Sequence, residues 1–424
     1  MKNESLRVAF FPDTYHEVDG VANTSRHFEA FAKKRGLPFL IVHAGSRNET
    51  VKEGSVTRVQ LCRSWLHFPL DGTHEFDAVF LRHYMEVASL IRQFRPDVLQ
   101  ITGPSDVGIL GALVAHKCAI PLAASWQTNL HQYARTRVSA AVSFLPKITT
   151  GKLVSAAERW SLRATVRFYK IPRLLFAPNP EVVKLLERAT CKPCHLMPHG
   201  VDTMRFSPEF RDRKSDPFRI GYVGRLKPEK NVRVLARLEE ALFAMGHREF
   251  RTVIVGEGAE GKWLRKNMRQ AEFAGVLTGR ELSRAFANMD VLAFPSETET
   301  FGLVVLEALA SGVPAIVMGG GGPKFIVQHG KTGFVANDFD EFVACTATLL
   351  RQPELLASMR NAGRQYALST SWEQIFEGIY EAYDRSFDAT NMFDRDAPHV
   401  ATQETEINCG ICGTSPCSCS TAIQ

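Results

Sequence analysis

The chain has 424 residues, of which 45% are hydrophobic and 23% charged, a balance typical of globular proteins with two or three domains. No run of about 18 uncharged apolar residues occurs, which argues against a membrane-spanning helix. The first residues, Met1–Ser5, lead into a strand without the apolar stretch of a signal peptide, so we expect a cytoplasmic location.

Strands and helices alternate through most of the chain, which predicts an α/β fold with parallel sheets. The predicted elements of the first half are strands Leu6–Phe11, Pro38–Val42, Asp97–Ile101, Leu122–Ser125 and Leu174–Ala177 and a helix Val21–Lys34. Those of the second half are strands Phe218–Val223, Thr252–Val255, Val291–Phe294 and Ala315–Met318 and a final helix Ser371–Arg385. Two doubly wound sheets of this kind face a cleft, and ligands bind at the carboxyl ends of their strands.

A polar connection rich in Pro, Asp and Arg separates the two halves and marks a predicted domain boundary. We expect a first domain over 1–200 that binds the acceptor, a linker over 201–217 and a second, nucleotide-binding domain over 218–370. The final helix, 371–387, is expected to pack back on the first domain. The polar, cysteine-rich tail, 388–424, is expected to be disordered.

The tail contains four closely spaced cysteines, Cys409, Cys412, Cys417 and Cys419. Their spacing is looser than that of common structural zinc sites. A cytoplasmic location also disfavours disulfides. Two interpretations therefore stay open for the tail: a metal site, or reduced thiols without a ligand.

A strand-to-helix turn at Ser296–Ala308 carries paired carboxylates. Glu299 lies just before the predicted helix and Glu307 about two turns into it, and we expect both acids to reach the same cleft. The N-terminal turn of the helix is expected to contain Thr300, Phe301, Gly302 and Leu303. Free backbone N–H groups in such a turn bind phosphate, so this turn is a candidate anion site.

A second loop follows the strand that opens the second half, and it carries two cations. Arg225 and Lys230 can project from this loop into the cleft. Arginine offers a planar fork to phosphate oxygens and lysine a point charge. Together with the helix N-terminus after Glu299, they would form a cationic site for a diphosphate. The alternative is a solvated loop with surface charges.

These two motifs together resemble those of the retaining GT-B glycosyltransferases of family 4. The matching residues are Glu299-x7-Glu307 and Gly224-Arg225-Leu226-x-x-Glu229-Lys230-Asn231. The resemblance extends to about Arg385 and includes Glu17–Val21 and Pro198–Pro208. It implies a GT-B fold, in which two Rossmann-like doubly wound domains face a cleft. It also implies transfer of a hexose from a nucleotide-diphosphate sugar to a hydroxyl acceptor, with retention of anomeric configuration.

The resemblance also implies roles for individual residues. Glu299 would hold the donor sugar and support positive charge near its anomeric carbon, while Arg225 and Lys230 would bind the leaving diphosphate. The donor-binding residues implied are Gly20, Val276, Thr300, Phe301, Gly302, Leu303 and Glu307. Glu307 would hold the ribose, and the base would lie near Val276. Because the cationic site neutralises the diphosphate, this scheme requires no metal ion or cofactor.

Gln127-Thr128-Asn129 and His131 follow a predicted strand of the first half and should face the cleft, where they would contact the donor sugar or the acceptor. Members of the resembled family usually carry a histidine where this chain has Gln127. Glutamine can still hydrogen-bond, but it cannot act as an acid or base. His131 would serve instead, or else it has a structural role.

The segment from Leu130 to Leu175 is strongly basic. Its nine cations are Arg135, Arg137, Lys147, Lys152, Arg159, Arg163, Arg167, Lys170 and Arg173. Its one acid is Glu158, and apolar side chains such as Trp160 are interleaved. Such a surface suits an anionic membrane. The alternative is a helix whose apolar side packs on a sheet. No nucleic-acid-binding motif is present, so nucleic acid is not expected as a partner.

The sequence therefore predicts a retaining hexosyltransferase that acts on a hydroxyl acceptor, with a membrane lipid or glycolipid among the candidates. Mannose from GDP-mannose is the favoured donor. A UDP-sugar-dependent diacylglycerol glycosyltransferase is the first alternative. A nucleotide-sugar epimerase of the same fold, or an inactive nucleotide-sugar-binding protein, is the second.

Overall fold

The computed structural model describes residues 5–17, 19–69, 75–128, 147–212 and 217–387. It confirms the predicted α/β class, because helices alternate with the strands of two mainly parallel sheets. Along these ranges no helix has both the length and the apolar character needed to cross a bilayer. The tail with its four cysteines lies outside the described residues.

The larger sheet belongs to the first half of the chain. Its strands are β1 (Val8–Phe11), β2 (Phe39–Gly45), β3 (Glu49–Glu53), β4 (Val56–Cys62), β7 (Val98–Ile101), β8 (Leu122–Ser125), β9 (Leu174–Ala177) and β10 (Cys194–Leu196). Their order is β10-β9-β8-β7-β1-β2-β4-β3, and among the described pairs of this sheet only β3–β4 is antiparallel. Strands β5 (His67–Pro69) and β6 (Glu75–Asp77) form a separate hairpin.

Helices cover both faces of this sheet. They are α1 (Gly20–Arg35), α2 (Tyr84–Phe94), α3 (Asp106–Lys117), α4 (Lys147–Tyr169) and α5 (Pro180–Thr190). Apolar side chains of α2, α3, α4 and α5 pack with one face of the sheet, and those of α1 pack with the other. We call this sheet with its helices the N-terminal lobe.

The second sheet is parallel throughout its described pairs. Its strands are β11 (Phe218–Val223), β12 (Phe250–Val255), β13 (Ala271–Gly275), β14 (Val291–Phe294), β15 (Ala315–Met318) and β16 (Gly333–Ala336), in the order β13-β12-β11-β14-β15-β16. Its helices are α6 (Arg233–Ala244), α7 (Gly261–Asn267), α8 (Gly279–Ala287), α9 (Leu303–Ala310), α10 (Phe339–Arg351) and α11 (Pro353–Leu368). One continuous apolar core joins these elements, and we call them the C-terminal lobe.

The last described helix, α12 (Trp372–Phe387), leaves the C-terminal lobe and packs on α1. The ring of Phe376 stacks on Phe28 at a centroid distance of 4.6 Å. Tyr383 is fully buried beside Phe176 of β9. The chain therefore crosses between the lobes twice, before β11 and before α12.

Candidate active site

A cavity of about 700 Å³ lies between the lobes. On the C-terminal side it is lined by the loops that follow β11 and β14, and on the N-terminal side by the start of α1 and the segment after β8. These are carboxyl ends of parallel strands, where ligands bind in doubly wound sheets. Each lobe thus contributes one wall of the cavity.

The loop after β11 brings both predicted cations to this cavity. Arg225 and Lys230 line it, and Lys230 ends a short 3₁₀ turn, Pro228–Lys230. The Tyr222 hydroxyl donates to the carbonyl of Arg225 at 3.1 Å, which fixes the start of the loop. The structure therefore places a guanidinium and an ammonium group in one cleft, an arrangement suited to phosphate oxygens.

Lys230 is paired with the first of the two predicted acids. Its Nζ donates to Oε1 of Glu299 at 2.5 Å, and the side chains are only 14% and 25% exposed. The hydroxyl of Thr298 donates to the carbonyl of Glu229 at 3.0 Å. These two hydrogen bonds connect the loops after β11 and β14, so the cation and the carboxylate are held in a fixed relation.

The helix after Glu299 begins later than the sequence predicts. Helix α9 starts at Leu303, and Gly302 is its N-cap with φ 102°, so Thr300 and Phe301 precede the helix instead of forming its first turn. A side chain at Gly302 would be strained at this φ and would lie 2.9 Å from Cγ of Pro323. In the described part of the chain, the N–H groups of Leu303 and Val304 have no acceptor and remain open for an anion.

Thr300 joins the two walls of the cavity. Its carbonyl accepts a hydrogen bond from Nδ2 of Asn179 at 2.7 Å, and its hydroxyl donates to the carbonyl of Gln127 at 2.9 Å. Asn179 also caps α5, because its Oδ1 accepts from the N–H of Val182. Asn179 is not among the residues predicted for the site, although an Asn-Pro pair after a buried strand is a helix-start signal.

Gly20 lies at a contact between the two lobes. It is the first residue of α1, and a Cβ there would meet Cδ1 of Leu303 at 3.4 Å. Asp19 caps α1, since its Oδ1 accepts from the N–H of Ala22 at 2.8 Å. Gly20, Leu303 and Asp19 all line the cavity.

Two of the four residues predicted after β8 are described, and both line the cavity. Gln127 is 7% exposed, and its Oε1 is buried with no hydrogen-bond partner in the part of the chain that the structure describes. Thr128 lies beside it in the lining. Asn129 and His131 lie outside the described residues.

Two predicted donor-binding residues are not in the lining of this cavity. Glu307 lies one turn after Leu303 on the same face of α9, and the residue is half-buried. Burial raises the pKa of Glu307 to about 7, while Arg205 opposes that shift. Val276 follows β13 and is 63% exposed. Of the two predicted acids, Glu299 therefore lines this cavity and Glu307 does not.

His199 lies within the matching range Pro198–Pro208 and lines the cavity. It is 4% exposed, its Nδ1 lies 2.7 Å from the hydroxyl of Thr24, and its ring lies 4.7 Å from that of Phe301. Burial lowers the pKa of His199 to about 4, so the ring is neutral at physiological pH. It therefore offers a hydrogen-bonding, uncharged surface to a ligand.

Helix α4 carries the described part of the basic segment. Its inner side matches the packing interpretation, since Tyr169 is buried and Leu162 and Phe168 pack against the core of the lobe. Its outer side keeps Trp160 73% exposed. The exposed cations on or just after this helix are Arg159, Arg163, Arg167, Lys170 and Arg173. The packing interpretation thus applies to the inner side of the helix, while the outer side leaves basic and aromatic side chains exposed.

The family model described as "Glycosyl transferases group 1" matches residues 204–366, which include Arg225, Lys230 and Glu299. A GDP-mannose-dependent alpha-mannosyltransferase from Mycobacterium tuberculosis is 30% identical over 402 residues, covering 89% of this chain and 97% of the relative. The sulfoquinovosyl transferase SQD2 from Arabidopsis thaliana is 29% identical over 392 residues, covering 86% of this chain and 71% of the relative.

Solved structures give the same architecture. A sucrose-phosphate synthase from Thermosynechococcus elongatus aligns with a TM-score of 0.68 at 16% identity, covering 91% of this chain and 100% of that one. Anabaena HepE in complex with UDP-glucose aligns with a TM-score of 0.62 at 15% identity, covering 90% and 100%. The predicted GT-B arrangement is thereby confirmed. The chain belongs to the group 1 glycosyltransferases and is a glycosyltransferase of the GT-B fold.

Proposed function

We propose that this enzyme transfers a hexose, mannose from GDP-mannose in the favoured case, to a hydroxyl acceptor with retention of anomeric configuration. The observation that carries the proposal is the pairing of Lys230 with Glu299 beside Arg225 in the cleft between the lobes. A site for sugar transfer from a diphosphate needs cations at the leaving group and a carboxylate at the sugar. This cavity holds both within one network.

The charge development of the reaction accounts for this arrangement. Breaking the sugar–phosphate bond leaves negative charge on the diphosphate and positive charge on the sugar ring. Arg225, Lys230 and the backbone N–H groups around Leu303 would stabilise the first charge, and Glu299 would support the second. Fixed groups aimed at charges that appear only in the transition state increase the rate more than they increase substrate affinity. The proposed reaction uses no metal ion, so we expect turnover to persist in EDTA.

The positions of the other predicted residues suggest which parts of the donor they would contact. Gly20 leaves room for the donor where the lobes approach, and Gln127 and Thr128 face the sugar or the acceptor from the N-terminal wall. Glu307 and Val276 would hold the ribose and the base. Because both lie outside the lining of the cavity, we expect the nucleoside to extend beyond it along α9 toward β13.

Mannose is favoured by the names of several similar proteins. Those from Corynebacterium glutamicum and Mycobacterium tuberculosis are both GDP-mannose-dependent alpha-mannosyltransferases. A UDP-sugar is the second candidate, because HepE was crystallised with UDP-glucose and shares the fold. The test is incubation with GDP-mannose and with UDP-glucose, each with and without a lipid extract.

Acceptor-dependent release of nucleoside diphosphate in that assay supports the proposal, and the donor that supports it identifies the base and the sugar. Isomerisation of the donor without an acceptor, or binding without release, would contradict transfer. The anomeric configuration of the product, determined by NMR coupling constants, tests retention. A product of inverted configuration would refute that part of the proposal.

A lipid-borne acceptor is supported by the outer side of α4, where exposed cations flank Trp160. Basic and aromatic side chains together favour an anionic bilayer surface. Sedimentation with phosphatidylglycerol vesicles at low and high salt tests this. We expect salt-sensitive binding, and we expect Trp160→Ser to weaken it. Met245 is an exposed apolar residue of the C-terminal lobe, so Met245→Ser is the control and should leave binding unchanged. Absence of binding at low salt would refute the membrane contact.

A further inference from the structure

Among the described residues, two side-chain oxygens on the N-terminal wall of the cavity are buried without a hydrogen-bond partner. They are Oδ2 of Asp19 and Oε1 of Gln127, and both residues line the cavity. Leaving a buried polar group unpaired is unfavourable, and more so for a charged group. Such a cost is tolerated in native structures where a ligand supplies the missing partner.

Each of the two side chains is held in place by its other contacts. Oδ1 of Asp19 accepts from the N–H of Ala22 at 2.8 Å and from the hydroxyl of Thr14 at 2.9 Å. The Gln127 amide donates through Nε2 to Oγ of Ser125 at 3.4 Å. In each case the group without a partner is an acceptor, so the ligand that completes it must donate a hydrogen bond.

The charges around the cavity are divided between its walls. The cations that line it within the described ranges are Arg225 and Lys230, and both belong to the C-terminal lobe. The N-terminal wall instead carries the carboxylates of Asp19 and Glu158. A phosphate or carboxylate placed against that wall would be repelled, whereas hydroxyl groups would find acceptors.

We propose that Asp19 and Gln127 form the acceptor subsite, and that it takes an uncharged polyhydroxy group, such as a sugar or polyol, and not a phosphorylated one. This inference rests on the proposed function, because it names the acceptor class of the same site. The acceptor donates hydroxyl hydrogens to Oδ2 of Asp19 and Oε1 of Gln127 while the diphosphate lies against the opposite, cationic wall. The same uncharged end would be presented by a soluble sugar or by a glycolipid.

The unmodified protein gives the first test. With GDP-mannose as donor, methyl α-mannoside and methyl α-glucoside serve as neutral acceptors, and mannose 6-phosphate and inositol 1-phosphate as charged ones. We expect transfer to at least one neutral acceptor at a rate at least about tenfold above that to either phosphate, because repulsion by a carboxylate opposes the anion. A phosphorylated acceptor used as well as the neutral ones would overturn the inference.

The second test is Asp19→Asn, which keeps the capping oxygen and replaces the unpaired carboxylate oxygen by an amide N–H₂. We expect the acceptor KM to rise about tenfold or more, since a charged hydrogen bond is lost, while the Kd for GDP stays within about twofold. The matched control is Asp338→Asn, another helix cap, at the start of α10 and outside the cavity.

These experiments distinguish failure of the acceptor subsite from failure of the proposed function. An unchanged acceptor KM in Asp19→Asn, or a weaker Kd for GDP instead, would refute the acceptor subsite while leaving transfer itself intact. Absence of transfer by the unmodified protein with GDP-mannose and with UDP-glucose would contradict the proposed function. If Asp19→Asn fails to fold, Gln127→Met applies the same KM test to the other unpaired oxygen.

Discussion

Lys230 and Glu299 lie 69 positions apart in the chain, yet Nζ of the lysine donates to Oε1 of the glutamate at 2.5 Å. The two residues follow neighbouring strands, β11 and β14, whose carboxyl ends meet at the cleft between the lobes. The pair holds a cation and a carboxylate in register before any ligand binds. In the proposed reaction these groups face opposite charges of the same transition state.

Removing either cation should reduce turnover with little effect on folding. For Arg225→Ala and Lys230→Ala we expect kcat to fall by on the order of 10²–10³, the usual effect of losing one group that stabilises a developing charge. Lys227→Ala is the matched control, because Lys227 belongs to the same loop but does not line the cavity. Steady-state kinetics and thermal unfolding of all three variants provide the check. Near-normal turnover in both cavity variants would contradict the role of this loop.

The Lys230–Glu299 pair should behave as a unit. Either single substitution to alanine leaves its partner in the cavity without its counter-charge, so the second substitution has less left to remove. We therefore expect the fold reduction of kcat in the double variant Lys230→Ala/Glu299→Ala to be clearly smaller than the product of the two single-variant reductions. A double-mutant cycle measures this coupling. Multiplicative effects would show that the two side chains act independently.

Glu307 should make stability depend on pH in an unusual direction for a carboxylate. Burial raises its pKa from 4.5 to about 7, so the folded state favours the protonated form. Stability linked to this group is fully present below about pH 4.5 and is lost as the pH rises through about 7. Glu307→Gln, which stays uncharged, should therefore raise the Tm more at pH 8 than at pH 5.

The exposed Glu240, in the middle of α6, gives a matched control, and Glu240→Gln should shift the Tm equally at the two pH values. Thermal unfolding at both pH values measures the difference. A Glu307→Gln variant with the same Tm increment at pH 5 and pH 8 would show that the carboxyl titrates alike in the folded and unfolded chain. If Glu307 holds the ribose, the same variant should also bind GDP more weakly.

Asn179 should act as a positioning residue, because it ties the N-terminal lobe to the loop that carries Glu299. Asn179→Asp keeps the cap of α5 but replaces the N–H donor to the Thr300 carbonyl with an acceptor. We expect kcat to fall about tenfold through loss of that buried hydrogen bond, and we expect a smaller Tm loss than in Asn179→Ala, because the cap of α5 is kept.

Asn179→Ser, which keeps the cap without the repulsion, should have an intermediate kcat, and its Kd for GDP should match that of the unmodified protein. The split between kcat and Tm distinguishes positioning from simple structural support. A Tm loss in Asn179→Asp as large as that in Asn179→Ala, with unchanged kcat, would assign Asn179 to the cap alone.

The sequence predicted the buried strands closely because a parallel strand covered on both faces is a continuous apolar run. Val291–Phe294 and Leu174–Ala177 have the predicted bounds. The edge strands β3 and β13 were not predicted. Their residues are exposed or half-buried and mostly polar in β3, so no apolar run marks them.

The candidate site was likewise predicted only in part. Arg225, Lys230 and Glu299 were identified because each follows a buried strand, and such loops converge at one edge of a sheet. The Asn179–Thr300 hydrogen bond joins residues of different lobes. Oδ2 of Asp19 lacks a partner among the described residues because none of their donor groups lies within reach of it. Both depend on how the lobes face one another, which local patterns do not encode. The later start of α9 depends similarly on the positive φ of Gly302.

The most direct measurement of the central claim is a crystal structure of this protein soaked with GDP or UDP. We expect density for the two phosphorus atoms in the cleft, with phosphate oxygens within hydrogen-bond distance of the Arg225 guanidinium, the Lys230 ammonium and the N–H groups at the start of α9. Phosphorus atoms bound away from Arg225 and Lys230 would contradict the assignment of this cavity as the donor site.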